Sequence, residues 1–405
     1  MARAATVHGG DAHGDRVNVR ELVPAVIGVL VRRGADFASA EDAVQEALIK
    51  ALQADEPPRD PMAWLIAAAW RKFLDAARAE SSRRGRELAV ETEPPAGPVS
   101  SADDSLWLYF LCAHPSLSPG SAVALTLRAV GGLTTRQIAA AYLVPEATMA
   151  QRISRAKRQL AGLPLDRPGD PATVLRVLYL VFNEGYGGDV DLAAEAIRLT
   201  RQLARATGEP EVAGLLALML LHHARRASRL GPGGRLVPLA EQDRSRWDTA
   251  LIAEGVAILQ AALARDRLGE YQAQAAIAAL HADAQSAEET DWVQIVEWYG
   301  ELLTLTGSPV VRLNRAVAVG EADGPRAGLK ELAEVDPGLP RYAAVRAHLL
   351  ERAGDREQAA ELYAEAARAA TSVPEREHLT RQAARMRTPD RPAGAADRTQ
   401  EECPG

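Results

Sequence analysis

From residue 21 to about residue 386 the chain repeats one pattern. Alanine- and leucine-rich stretches carry apolar residues at helical spacing, and each is stopped by a proline or glycine cluster. The first three stretches are ELVPAVIGVLVRR, SAEDAVQEALIKALQA and DPMAWLIAAAWRKFLDAARAESSRR. Aromatic residues make up only 4% and β-branched runs are scarce, so the chain is expected to be all-α. Ser39 is the expected N-cap of the second stretch, with Asp42 three residues on, and Asp60-Pro61 opens the third. The intervening DEPPRD is too proline-rich to be helical.

The 405 residues leave room for two or three domains, each with its own core. Composition marks their borders. A first helical domain covers 20–85, and a segment rich in proline, serine and acids reads as a linker over 86–103. A second helical unit covers 104–163. A long amphipathic region follows over 164–386, broken by segments such as RLGPGGRLVP, and the polar tail 387–405 is expected to be disordered. Within the long region an offset of 31 residues aligns Arg315-Ala316 with Arg346-Ala347, Gly328 with Ala359, and Leu332 with Tyr363. Small residues let paired helices approach closely, and an aromatic fills the groove between neighbours. That is the logic of a tetratricopeptide-like (TPR-like) repeat, whose usual period is about 34.

Charge is distributed unevenly. The net charge is −7, yet residues 1–163 sum to +1 and the remainder to −8. Residues 71–86 carry +4, including Arg71, Lys72 and Arg78, and residues 126–160 carry +5. Two basic islands in an acidic molecule suit two separate DNA-contacting segments; two solvated helix faces are the plain alternative.

The second island contains TTRQIAAAYLVPEATMAQRISRAKR, residues 134–158. It predicts a short helix, a turn with Pro145, and a second helix. Met149, Ile153, Ala156 and Leu160 recur at spacings of 4, 3 and 4, and so share one face. Gln151, Arg152, Arg155 and Arg158 occupy the other, flanked by Ser154 and Lys157, with Thr148 near the helix start. This is a helix-turn-helix pattern. One helix buttresses, and the next carries side chains suited to base edges and phosphates in a major groove.

Other function classes find little support. No apolar run approaches the roughly 18–20 residues of a bilayer span, and the N-terminal stretch lacks the apolar segment of a signal peptide. Cys112 and Cys403 are too few for a disulfide framework or a cysteine metal site. A cytoplasmic protein is expected. His222, His223, His281 and His348 have no ligand partners at metal spacing, and no phosphate loop or nucleophile elbow occurs. No catalysis, metal or cofactor is expected.

SAEDAVQEALIKAL with PMAWLIAAAWRKFLDAARAESSRR resembles region 2 of bacterial RNA polymerase sigma factors of the extracytoplasmic-function group, and the helix-turn-helix resembles their region 4. FLCAHPSLSPGSAVALTLRAVGGLTTRQIAAAYLVPEATMAQRISRAKR, LYLVFNEGY, LAEQDRSRWD and VVRLNRAVAV are similar to a subgroup with a C-terminal helical extension. The resemblance implies sigma region 2 over 20–85, region 4 over 104–163 and a TPR-like regulatory extension over 164–386.

It also implies roles for individual residues. Asp42, Gln45 and Glu46 would dock, from one exposed helix face, on the clamp helices of the polymerase core's largest subunit, and the core's flap region is implied as a further contact. Arg71, Lys72 and Arg78 would hold phosphates of the opening −10 element. Thr148, Gln151, Arg152, Ser154, Arg155 and Arg158 would face the −35 element. Ala150 stands where a larger basic residue is often seen, and the acidic, proline-rich DEPPRD occupies the loop that captures a −10 base. Small proteins of the DGPF (YCII-related) type are implied as partners. In VLYLVFNEGYGGD, Asn183, Glu184 and Tyr186 fit either a polar regulatory contact or a plain helix end closed by glycines. A ligand-responsive helix-turn-helix regulator on a two-fold operator is the alternative function, and it leaves the Asp42 helix without a role.

Overall fold

The computed structural model describes residues 22–53, 59–84, 102–142, 144–160, 170–184, 191–231 and 235–388. These form two compact units, Met1–Met219 and Leu220–Gly405. Among the described residues there is no strand, only an isolated bridge between Leu230 and Leu236. The expected linker lies outside the described residues except for 102 and 103, which already begin a helix, and so does the tail beyond 388.

The first unit opens with α1 (Val23–Arg32), α2 (Phe37–Gln53) and α3 (Pro61–Arg84). Gly34 takes φ +95 between α1 and α2, a left-handed conformation that only glycine adopts without cost. The cap of α2 differs from expectation. Asp36, not Ser39, holds that position: its carboxylate accepts from the Ser39 amide at 3.0 Å, and its carbonyl from Ala40. An aspartate just after the glycine turn starts the helix earlier, which places Ser39 inside it. At α3 the Asp60 cap is present and accepts from the Ala63 amide at 3.0 Å. Val26, Ile27 and Leu30 of α1, Val44 and Leu48 of α2, and Leu65, Ala69 and Trp70 of α3 form the core. Trp70 is 1% exposed and packs on Phe73, so it is a core residue.

Four helices follow, α4 (Ala102–Cys112), α5 (Pro119–Ala129), α6 (Thr135–Ala141) and α7 (Glu146–Leu160). α6 starts with a complete capping box. The Thr134 hydroxyl accepts from the Gln137 amide at 3.2 Å, and Gln137 Oε1 accepts from the Thr134 amide at 2.9 Å. This group is not isolated from the first three helices: α1 packs on α4, and Phe37 meets Trp107 edge to face with centroids 6.4 Å apart.

α8 (Pro171–Asn183), α9 (Leu192–Thr207) and the start of α10 (Pro210–Ala224) complete the unit. The unit border thus falls well inside the expected extension. α8 packs on α4 and α5, and α9 on α4. The buried Tyr109 hydroxyl donates to the Leu199 carbonyl at 2.9 Å, and burial raises its pKa well above the usual phenol range. Arg198 reaches the Gly131 carbonyl at 3.4 Å.

The second unit continues through α11 (Arg226–Arg229), α12 (Thr249–Leu263), α13 (Glu270–Asp283), α14 (Trp292–Thr306), α15 (Pro309–Ala322), α16 (Pro325–Leu332), α17 (Tyr342–Ala353), α18 (Arg356–Ala369) and α19 (Val373–Arg387). From α12 onward each helix packs on the next. The residues aligned by the 31-residue offset occupy matching places: Ala316 on α15 and Ala347 on α17 are buried, as are Gly328 and Leu332 on α16 and Ala359 and Tyr363 on α18. The LAEQDRSRWD segment serves packing. Arg244 lies over the Trp247 ring at 4.7 Å and donates to the carbonyls of His281 and Ala284 at the end of α13. A cavity of about 880 Å³ opens between these helices, lined by Arg244, His281, Asn314, Glu321, His348 and Tyr363 among others. No helix among the described residues is long and apolar enough to cross a membrane.

Candidate nucleic-acid and polymerase interface

α7 divides cleanly between two environments. Met149, Ile153, Ala156 and Leu160 are buried. Thr148, Gln151, Ser154, Arg155 and Arg158 are exposed and Arg152 is half-buried. Gln151, Ser154, Arg155 and Arg158 line one shallow surface depression with Ala150, so amide, hydroxyl and guanidinium groups converge there. Pro145 begins the helix turn by accepting from the Thr148 and Met149 amides. Lys157 lies on the flank of the helix, half-buried and outside this depression.

On α3, Arg71 and Arg78 are exposed. Lys72 instead meets Glu46 of α2 at 2.9 Å. The hydrogen bond to that carboxylate, and then its charge, raise the Lys72 pKa above its ordinary value. Of the loop before α3, residues 54–58 lie outside the described residues.

The expected single exposed face of α2 is split into two stripes about 100° apart, because neighbours in sequence diverge by that angle around a helix. Asp42 and Glu46, one turn apart, face outward. Glu41 and Gln45, also one turn apart, are 0% and 1% exposed. Both Glu41 oxygens lie against cations of the second helical group: Arg128 Nε of α5 stands 2.9 Å from Oε1, and Lys157 Nζ of α7 contacts Oε2. Lys157 also reaches Asp42 Oδ1 at 2.6 Å, and Gln45 Nε2 donates to the Arg128 carbonyl at 2.7 Å. A carboxylate can be fully buried only when its charge is matched, and here two cations match it. The same charge adds to burial in raising the nearby Cys112 pKa well above the usual thiol value.

The Glu41 contacts were not legible in the sequence. The partners of Glu41 stand on α5 and α7, far along the chain, and a separation of 115 positions between Asp42 and Lys157 leaves no spacing signal. In the segment after α7, Asn183 and Glu184 are exposed at the end of α8, where Glu184 closes the helix on the Leu180 carbonyl at 3.1 Å. Tyr186 lies outside the described residues. Among the described residues no group of three His, Cys, Asp or Glu side chains is placed to hold a metal ion.

Three families match along the chain. Sigma-70 region 2 covers residues 19–83, sigma-70 region 4 covers 107–160, and a family of unknown function, DUF6596, covers 171–263. The first therefore spans α1 to α3, and the second ends on the helix with the exposed arginines. The uncharacterized protein R00370 of Rhizobium meliloti (strain 1021) is 40% identical over 395 residues, which is 89% of this chain and 92% of that protein. No solved structure matches the chain. The chain belongs to the same family as R00370, and its sigma-70 regions 2 and 4 mark it as an RNA polymerase sigma factor for promoter recognition.

Proposed function

We propose that the chain is a sigma factor of the extracytoplasmic-function type that binds core polymerase through α2, opens the −10 element with α3 and reads the −35 element with α7. The observation that carries this reading is the surface of α7. Its apolar side is buried in region 4, while Gln151, Ser154, Arg155 and Arg158 converge on solvent. Side chains of these types pair with base edges and phosphates in a major groove. Arg71 and Arg78 on α3 supply a second exposed basic surface, suited to phosphates of a separating strand. On α2, Asp42 and Glu46 offer carboxylates to a basic partner helix.

The second unit is read as a TPR-like regulatory module. Neighbour-on-neighbour helix packing and the buried small residues at matching positions support the repeat, and the 880 Å³ cavity gives it room for a bound segment or small molecule.

Run-off transcription tests the function. Purified core polymerase with the full chain, on a pool of genomic fragments, is expected to yield defined transcripts that vanish without the chain. No transcripts and no binding to core polymerase would overturn the reading in favour of an operator-binding regulator.

A further inference from the structure

The polymerase-facing helix α2 is already occupied inside the first unit. Four contacts tie its 41–45 stretch to the region 4 helices: Arg128 and Lys157 on Glu41, Lys157 on Asp42, and Gln45 on the Arg128 carbonyl. We propose that these contacts form an intramolecular clasp that competes with core polymerase, and that polymerase gains α2 by displacing Arg128 and Lys157 with a basic surface of its own.

The clasp rests on the sigma reading of α2 given above. The physical argument is one of balance. Burying a carboxylate with two cations recovers in attraction much of what desolvation costs, so a closed pair of this kind stands near break-even against its separated, solvated parts. Such a contact holds without locking. Glu41 makes it specific, since a buried carboxylate abandoned by one cation is strongly disfavoured, and the whole contact therefore parts at once. Opening frees Glu41, Asp42 and Gln45 together, and a partner with matching cations then takes the place of Arg128 and Lys157. Lys157 is the hinge of the competition. It sits on the proposed recognition helix, so release of α2 also detaches α7 from α2, while α1 keeps its packing on α4.

The unaltered full chain can be tested directly. A zero-length carbodiimide joins an amine to a carboxylate in contact, and Asp42 with Lys157 at 2.6 Å is such a pair. Peptide mapping of the treated free chain is expected to find the Asp42–Lys157 amide, absent from the Lys157→Ala control. Chains carrying that amide should bind core polymerase at least about tenfold more weakly than untreated chain. In a parallel arm, Arg128→Ala and Lys157→Ala should each bind core polymerase about twofold more tightly, because affinity scales with the fraction already open and a clasp near break-even is open about half the time.

Absence of the amide, or equal binding by cross-linked and untreated chains, overturns the clasp. If those chains nevertheless bind polymerase and start transcription, the sigma reading stands without it. If neither wild type nor variants bind polymerase, both fall together.

Discussion

Gly328 rests directly on Gly320. A methyl group on Gly328 would stand 2.8 Å from the Gly320 Cα and 2.7 Å from the Ala316 carbonyl oxygen, where α16 crosses α15. The third near neighbour, the Leu349 Cδ2 methyl at 2.8 Å, can shift, but the two backbone atoms cannot. Gly328→Ala is expected to cost about 1–3 kcal/mol, the range for overpacking a tight core. Ala359 fills the matching place on α18, so Ala359→Gly should be far milder. Chemical unfolding of the two variants side by side checks the contrast.

The α7 surface predicts two different kinds of loss. On the proposed reading of α7 as the recognition helix, Arg155, three residues before Arg158, is the nearer of the two to the helix end that reads base edges. Arg155→Ala should lower −35 affinity of the holoenzyme by about 5- to 150-fold and relax preference at one base pair, from roughly 1–3 kcal/mol. Arg158→Ala should weaken all promoters alike and reduce the salt slope of binding by about 1. Promoter titrations at several salt concentrations separate them.

The capping box at α6 carries its own expectation. α6 is only seven residues long, so its first turn makes up half the helix. Thr134→Ala removes the side-chain acceptor of the Gln137 amide and should cost about 1 kcal/mol, while Thr134→Ser should cost little. Thermal melting of the full chain reads both.

Acid should loosen the second unit. Burial, with the charges of nearby arginines, lowers the His222 pKa to about 3 and the His281 pKa to about 4. Both sit below the unfolded value of about 6.5, so the unfolded chain takes up protons first as pH falls. The stability that neutral histidines provide is full above about pH 6.5 and is lost progressively below it. Between pH 7.5 and 5.5 the two histidines together cost about 2.7 kcal/mol, so the unit's melting transition should drop by about 5–10 °C, and His222→Gln with His281→Gln should flatten that dependence. Calorimetry across this range tests the claim.

What the sequence made legible was local. The 4-3-4 spacing of Met149, Ile153, Ala156 and Leu160 gave the buried face of α7, and Asp60 gave the start of α3. Apolar periodicity and cap chemistry act within a few residues, and there the reading is direct. The α2 cap was missed because a serine and an aspartate three residues apart both fit the rule, and the glycine turn decided between them. Glu41 carries no local mark of burial, since an acidic residue near a helix start is ordinary. Only the approach of α5 and α7 reveals a buried charge, and tertiary approach leaves no trace in spacing.

The packing of α8 and α9 changes what a deletion would mean. Tyr109 of region 4 satisfies its buried hydroxyl on Leu199, and Gly131 receives Arg198, so region 4 borrows part of its core from the extension. A fragment cut near residue 163 would strip those partners and bare the side of α4 they cover. Silence from such a fragment would then report an injured DNA-reading module rather than a missing activator. A deletion that tests the proposed regulatory role has to leave α8 to α10 attached and begin the excision beyond Ala224.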